Sequence, residues 1–190
     1  MSKDSELKTN SKAEIYPKFP FYRVFIYEFT TILHYVLGGF GLIIGYIFLT
    51  WGFLIGSIYL VFAFLQMYVL MPLTVCPNCV YYRMENGRCV SGLNKISKRI
   101  AKEGNPEDFP KRAKGLLCYN NIYMVALFIP IIGIIPALIL NFSLLLLGLF
   151  LGVLGLLLFR FFVIFPKIAC LHCSAKYICP IGEQIGVRDK

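Results

Sequence analysis

Charge is scarce in this sequence, and where it is missing matters most. No Asp, Glu, Lys or Arg occurs from Phe29 to Val75 or from Gly115 to Phe159, and only 15% of the 190 residues are charged. Each bare stretch is more than twice the about 20 residues that one helix needs to cross a bilayer, which excludes a single water-soluble domain. Acidic residues number 10 and histidines 2. No carboxylate pair, Ser/His arrangement or phosphate-cradling glycine loop is spelled out, so ordinary hydrolase and kinase chemistry has no residues to use. The first eighteen residues are polar and of mixed charge, and the apolar run after them has no small-residue cleavage pattern. A removable secretory signal is therefore not expected.

The positive content is apolar and basic: 58% of residues are hydrophobic, mean hydropathy is +0.70, and the net charge is +9. Read as one helix, either bare run would extend roughly 70 Å, against about 30 Å of hydrocarbon. Each run is therefore two spans with a tight turn, near Thr50–Phe53 and near Asn141–Ser143, where Trp51, Gly52, Asn141 and Ser143 interrupt the aliphatic pattern. The expected fold is an all-α integral membrane protein of four transmembrane helices, at about 29–50, 52–74, 121–140 and 143–165, arranged as two tandem hairpins. The chain divides into a polar segment (1–28), a first hairpin (29–75), a basic loop (76–114), a second hairpin (115–166) and a tail (167–190).

Five basic residues lie in 1–28, nine in the central loop and five from Arg160 onward, with none at the hairpin tips. The positive-inside rule then places both termini and the loop in the cytoplasm of a multi-pass cell-membrane protein. The basic balance is accounted for by topology and anionic headgroups, so the expected partners are the lipid bilayer and other membrane subunits, with no nucleic acid. With spans drawn from residue 29, they hold no Asp, Glu or Lys, and Arg160 lies near one end, which argues against ion or proton transport.

The chain also repeats itself. Pro72 precedes Cys76 and Cys79 as Pro166 precedes Cys170 and Cys173, and a third cysteine with a glycine three residues on follows each pair: Cys89 with Gly92, Cys179 with Gly182. A hairpin plus a three-cysteine tail used twice would form a parallel repeat about an axis along the membrane normal. Cys-x2-Cys lets two sulfurs converge on one ion, and two such pairs complete a sulfur shell for zinc or ligate an iron–sulfur cluster. The candidate metal ligands are Cys76, Cys79, Cys89, Cys170, Cys173, Cys179 and Cys118, the last at the start of the third span. Two arrangements fit: Cys76, Cys79, Cys89 and Cys118 in one site with Cys170, Cys173 and Cys179 in another, or one composite site built from both pairs. Zinc is the leading ion, an iron–sulfur cluster the alternative, and thiol–disulfide chemistry the metal-free reading. In size and span count the chain resembles the bacterial disulfide-forming membrane oxidases, which imply quinone-linked thiol chemistry. Those place their working cysteines on the oxidising side, whereas the cysteines here lie on the basic side.

Three further expectations concern the helices. His34, inside the first span, should be neutral and hydrogen-bonded to a neighbouring helix, while His172 should face outward. Gly41/Gly45, Gly52/Gly56 and Gly148/Gly152 are small-residue pairs suited to close helix contact, and Pro130 and Pro136 should bend the third span. In the loop, Leu93, Ile96 and Ile100 share a helical face ringed by Lys95, Lys98, Arg99 and Lys102, and Gly104-Asn105-Pro106 stops it. This pattern fits a helix on the membrane surface. Taken together, the sequence predicts a metal-organised adaptor or subunit rather than a free-standing enzyme.

Overall fold

The computed structural model describes residues 13–49, 51–111, 119–179, 182–183 and 185–187. Among these the chain is helical, with no strand and only two isolated bridges, Tyr16 with Cys173 and Lys18 with Arg88. In chain order the elements are α1 (Phe21–Gly45), α2 (Gly52–Asn78), α3 (Val80–Arg83), α4 (Leu93–Ile100), α5 (Asp108–Lys111), α6 (Tyr119–Leu140) and α7 (Leu144–Ala169). Four of them, α1, α2, α6 from Ile122, and α7, are long and apolar enough to cross a membrane. The protein is multi-pass, as the charge-free runs require.

The breaks fall where the sequence supplies turn chemistry. After Gly45 the chain tightens into a short 3-10 turn at Ile47–Leu49, and Trp51 leads into α2. Asn141 and Phe142 end α6, and Ser143, extended at φ −140° and ψ 138°, starts α7. The first helix differs from expectation: it begins at Phe21, directly after Pro20, and not at Phe29. That shift draws Arg23 and Glu28 into the helix. Glu28 is tolerated because its Oε2 accepts a hydrogen bond from the Tyr68 hydroxyl at 2.7 Å. The premise that the spans lack acidic groups is thereby corrected.

Between lipid-facing helices apolar burial gives little net drive, so close packing and interhelical hydrogen bonds must hold them together. The α1 helix touches all three other spans and carries much of that packing. A β-carbon at Gly41 would lie 2.5 Å from the Ile134 side chain and one at Gly45 2.7 Å from the Ala137 β-carbon, so α6 side chains pack directly onto the glycine face of α1. Gly56 lies equally close to α1, within 2.8 Å of the Gly39 carbonyl oxygen by the same measure. The third pair behaves otherwise: Gly148 has no neighbour within 4 Å and Gly152 meets only Leu37, at 3.8 Å.

Polar bonds to α6 reinforce this contact. Pro130 has no N–H to give the carbonyl four residues back, which frees Ala126 O. The Tyr59 hydroxyl donates to that oxygen at 3.1 Å, supplying from α2 the partner that α6 lacks. His34 Nε2 bonds Leu127 O at 3.0 Å and the Tyr46 hydroxyl donates to Gly133 O at 2.8 Å. A carbonyl only accepts, so His34 carries its proton on Nε2, as expected of a neutral packing histidine. Facing outward are Phe53, Ile132, Ile139, Leu144 and Phe162, all largely exposed, a surface suited to lipid.

Candidate functional site

The two cysteine-bearing ends grow from helices that close in the same way. The α2 helix is regular to Leu65 and then widens into a π-helical stretch at Gln66–Leu70, and α7 is regular to Phe159 and widens at Arg160–Ala169. Gln66 and Arg160, which open these stretches, are each only 1% exposed and stand ten residues before Cys76 and Cys170. Pro72 and Pro166 lie in the corresponding last turns. Cys76, Pro77 and Asn78 form a 3-10 turn, and Asn78 Nδ2 donates to Thr74 O at 2.8 Å.

Just beyond the helices the two ends touch. The Tyr81 hydroxyl accepts from Ser174 N at 3.0 Å, lies 3.2 Å from Ser174 Oγ and donates to Tyr16 O at 2.7 Å. Tyr81 stands two residues after Cys79 and Ser174 one after Cys173, so this hydroxyl links the two Cys-x2-Cys turns. The segment from Glu14 to Pro20 runs between them. On one side Phe19 N donates to Arg88 O at 2.9 Å and Arg88 N to Pro17 O at 3.2 Å, and on the other Tyr16 N donates to His172 O at 3.0 Å. Phe19 is fully buried with its ring near Tyr16 and Tyr81. His172 stacks on Tyr16 with centroids 4.7 Å apart, and its Nδ1 donates to Glu14 O at 2.7 Å.

The sulfurs gather without converging. Cys79, Cys173 and Cys179 pack around a buried patch of Val75, Phe109 and Ala175, whereas Cys76 belongs to the main core and Cys170 packs against it. Cys89 Sγ is 3.4 Å from Ser91 Oγ, and its backbone N–H is held at 3.3 Å by Asn94 Oδ1. Cys118 lies outside the described residues. All six described cysteines are free thiols. Among the described residues no three His, Cys, Asp or Glu side chains approach closely enough to share a metal ion. A cavity of about 180 Å³ with an apolar lining lies beside the patch, walled by Met71, Val75, Phe109, Phe165, Cys170 and Cys179 among others.

Burial dominates the thiol chemistry. It pushes Cys79 up to about 12; the Tyr81 N–H aimed at its sulfur pulls the other way, and negative charge on Cys173, Cys89 or Cys179 would raise it further. Cys173 is raised to about 11 by burial, with the Ala175 N–H opposing and Cys179 and Cys89 adding to the rise. Cys170 reaches about 12 through burial and then through Cys173 and Cys179. The second cysteine of each pair thus receives an N–H from two residues downstream, the same local geometry in both tails. Thiols this hard to ionise are poor nucleophiles at neutral pH, which sets them apart from activated redox cysteines.

A second polar group lies within the spans. Arg160 Nη2 donates to Tyr27 O at 3.1 Å and also to the Thr30 and Thr31 hydroxyls, and its guanidinium rests 4.9 Å from the centroid of the Tyr27 ring. Tyr123 and Phe165 complete an aromatic sleeve at 5.5 and 5.8 Å. Sequence reasoning placed Arg160 near an end and missed this sleeve. The signal that was available is the matching position of Gln66 in the first half.

No protein-family model matches this chain, and no curated protein or solved structure is significantly similar to it.

Proposed function

We propose that this multi-pass protein consists of two tandem helical hairpins related by duplication, whose three-cysteine tails face the cytoplasm and together form one composite zinc–thiolate site. Such a module serves as an adaptor or subunit of a membrane complex, with zinc organising the face that other subunits meet. The observation that carries this reading is the hydrogen bond of the Tyr81 hydroxyl with Ser174, which ties one Cys-x2-Cys turn to the other across more than ninety residues of sequence. The matched N–H groups at Cys79 and Cys173, and the paired π-helical stretches ahead of both tails, support the duplication. The cytoplasmic assignment rests on the basic residues of the loop and tails.

Zinc–sulfur bonds are about 2.3 Å long, so sulfurs divided between the main core, Cys76 and Cys170, and the Val75, Phe109 and Ala175 patch, Cys79 and Cys173, must draw together to bind. The adjoining cavity gives them room, and binding is thereby coupled to closure of the two tails. The test is elemental analysis of protein purified without air, repeated on Cys76→Ser and Cys170→Ser. A composite site predicts about one equivalent of zinc in the parent and its loss in both variants. Retention of half the metal in each variant would instead support two separate sites, and iron with visible absorbance would favour the electron-transfer reading. Less than about one-tenth of an equivalent of any transition metal, with the thiols free, would overturn the metal reading.

A further inference from the structure

The α4 helix has an apolar edge that the described protein covers only in part. It starts at Gly92, whose φ of +67° is left-handed, beside Val24 at the beginning of α1. Leu93, Asn94 and Ser97 are buried, and the helix packs on the Met71–Thr74 turn and the Cys76–Asn78 turn that end α2. Its height is therefore set at the end of a membrane span. Asn94 fixes it further, with Nδ2 donating to Gly87 O at 2.9 Å and Tyr81 O at 3.3 Å.

What remains outside is Ile96, 38% exposed, and Ile100, 49% exposed. At 100° per residue these two adjoin the buried Leu93 edge, and Arg99 and Lys95 follow next around the helix. Lys98 is occupied, its Nζ donating to Met84 O at 2.6 Å, whereas Lys95, Arg99 and the following Lys102 are exposed. Phe21 and Tyr22, 70% and 58% exposed at the start of α1, present aromatic rings at the same end of the bundle. Branched aliphatics, flanking cations and neighbouring exposed aromatics together match a helix lying in a headgroup layer.

We infer that α4 is a membrane-surface helix, with Ile96 and Ile100 inserted at the top of the acyl chains and Lys95, Arg99 and Lys102 holding anionic lipid headgroups. The occupant of this face is the protein's own bilayer. Charge complementarity selects anionic lipid, since the edge presents three exposed cations and the chain carries a net charge of +9. The inference is independent of whether the cysteines bind metal.

The test uses the single tryptophan, Trp51, which lies at the other end of the spans. Full-length protein carrying Trp51→Phe with Ile96→Trp, Ile100→Trp or Lys95→Trp is reconstituted into nanodiscs of phosphatidylcholine, alone or with about one-third phosphatidylserine. Lipids brominated high on the acyl chain are the quencher. The inference predicts about twofold or greater quenching at positions 96 and 100 in the anionic discs, clearly less at 95, and weaker quenching without phosphatidylserine. A triple variant, Lys95→Gln, Arg99→Gln and Lys102→Gln, should remove the dependence on phosphatidylserine while the helical circular dichroism is unchanged. Water-exposed emission without quenching at 96 and 100, or equal quenching at all three positions, would overturn the proposal. So would blue-shifted but unquenched emission, which would assign the face to a protein.

Discussion

Tyr81 is the residue at which three distant stretches of chain meet, and its neighbours in the tails are thiols whose protons are held tightly. Folding raises Cys79, Cys170 and Cys173 to about 12, 12 and 11, against about 8.5 for a free thiol. A folded state that holds its protons more tightly than the unfolded state is favoured where those protons are bound. The metal-free protein should therefore keep this part of its stability below about pH 8.5 and lose it progressively as pH rises through about 12. Chemical denaturation at pH 7, 9 and 10.5, after chelation, checks the sign: the midpoint should fall with pH, and a flat or rising profile would contradict it. The cysteines themselves were legible from their spacing alone. Tyr81, Ser174 and Tyr16 were not, because a hydroxyl joining segments so far apart leaves no local pattern.

At the scale of the helix, the glycines divide into two kinds that sequence cannot separate. Gly45 and Gly152 both sit in small-xxx-small pairs, yet only Gly45 is pressed against a neighbouring helix, at the Ala137 β-carbon. Gly45→Leu should force α1 from α6 and destabilise the protein by about 1–3 kcal/mol, whereas Gly152→Leu should have little effect. Unfolding in a detergent mixture compares the two, and equal losses would show that the contact with Ala137 is not limiting. The spans were readable because a charge-free run of that length has few other uses. The start of α1 was not, since Arg23 and Glu28 look like solvent-facing residues until their partners are known. Arg23 reaches Ile168 O at 3.4 Å and lies over the Tyr16 ring, and Glu28 finds Tyr68. The short separation of Asn141 from Ser143 marked its turn correctly, because two polar, turn-forming residues with only Phe142 between them interrupt that aliphatic stretch.

For the whole molecule, the distribution of basic residues makes a statement about sidedness that a fusion experiment tests directly. Reporters joined at Trp51 and after Asn141 should read extracytoplasmic, and those after Ser91 or Lys190 cytoplasmic. A cytoplasmic signal from either of the first two would remove the four-span arrangement. The strap formed by Glu14 to Pro20 adds a matter of timing. It is synthesised before both of its partners: one side of it pairs with Arg88, but its other side waits for His172 and Cys173, far later in the chain. During synthesis the strap therefore stands half-paired until both pairs of spans have been made. A chain stopped short of His172 leaves the Tyr16 N–H without its backbone partner, so this edge of the strap closes only after the last span has been made.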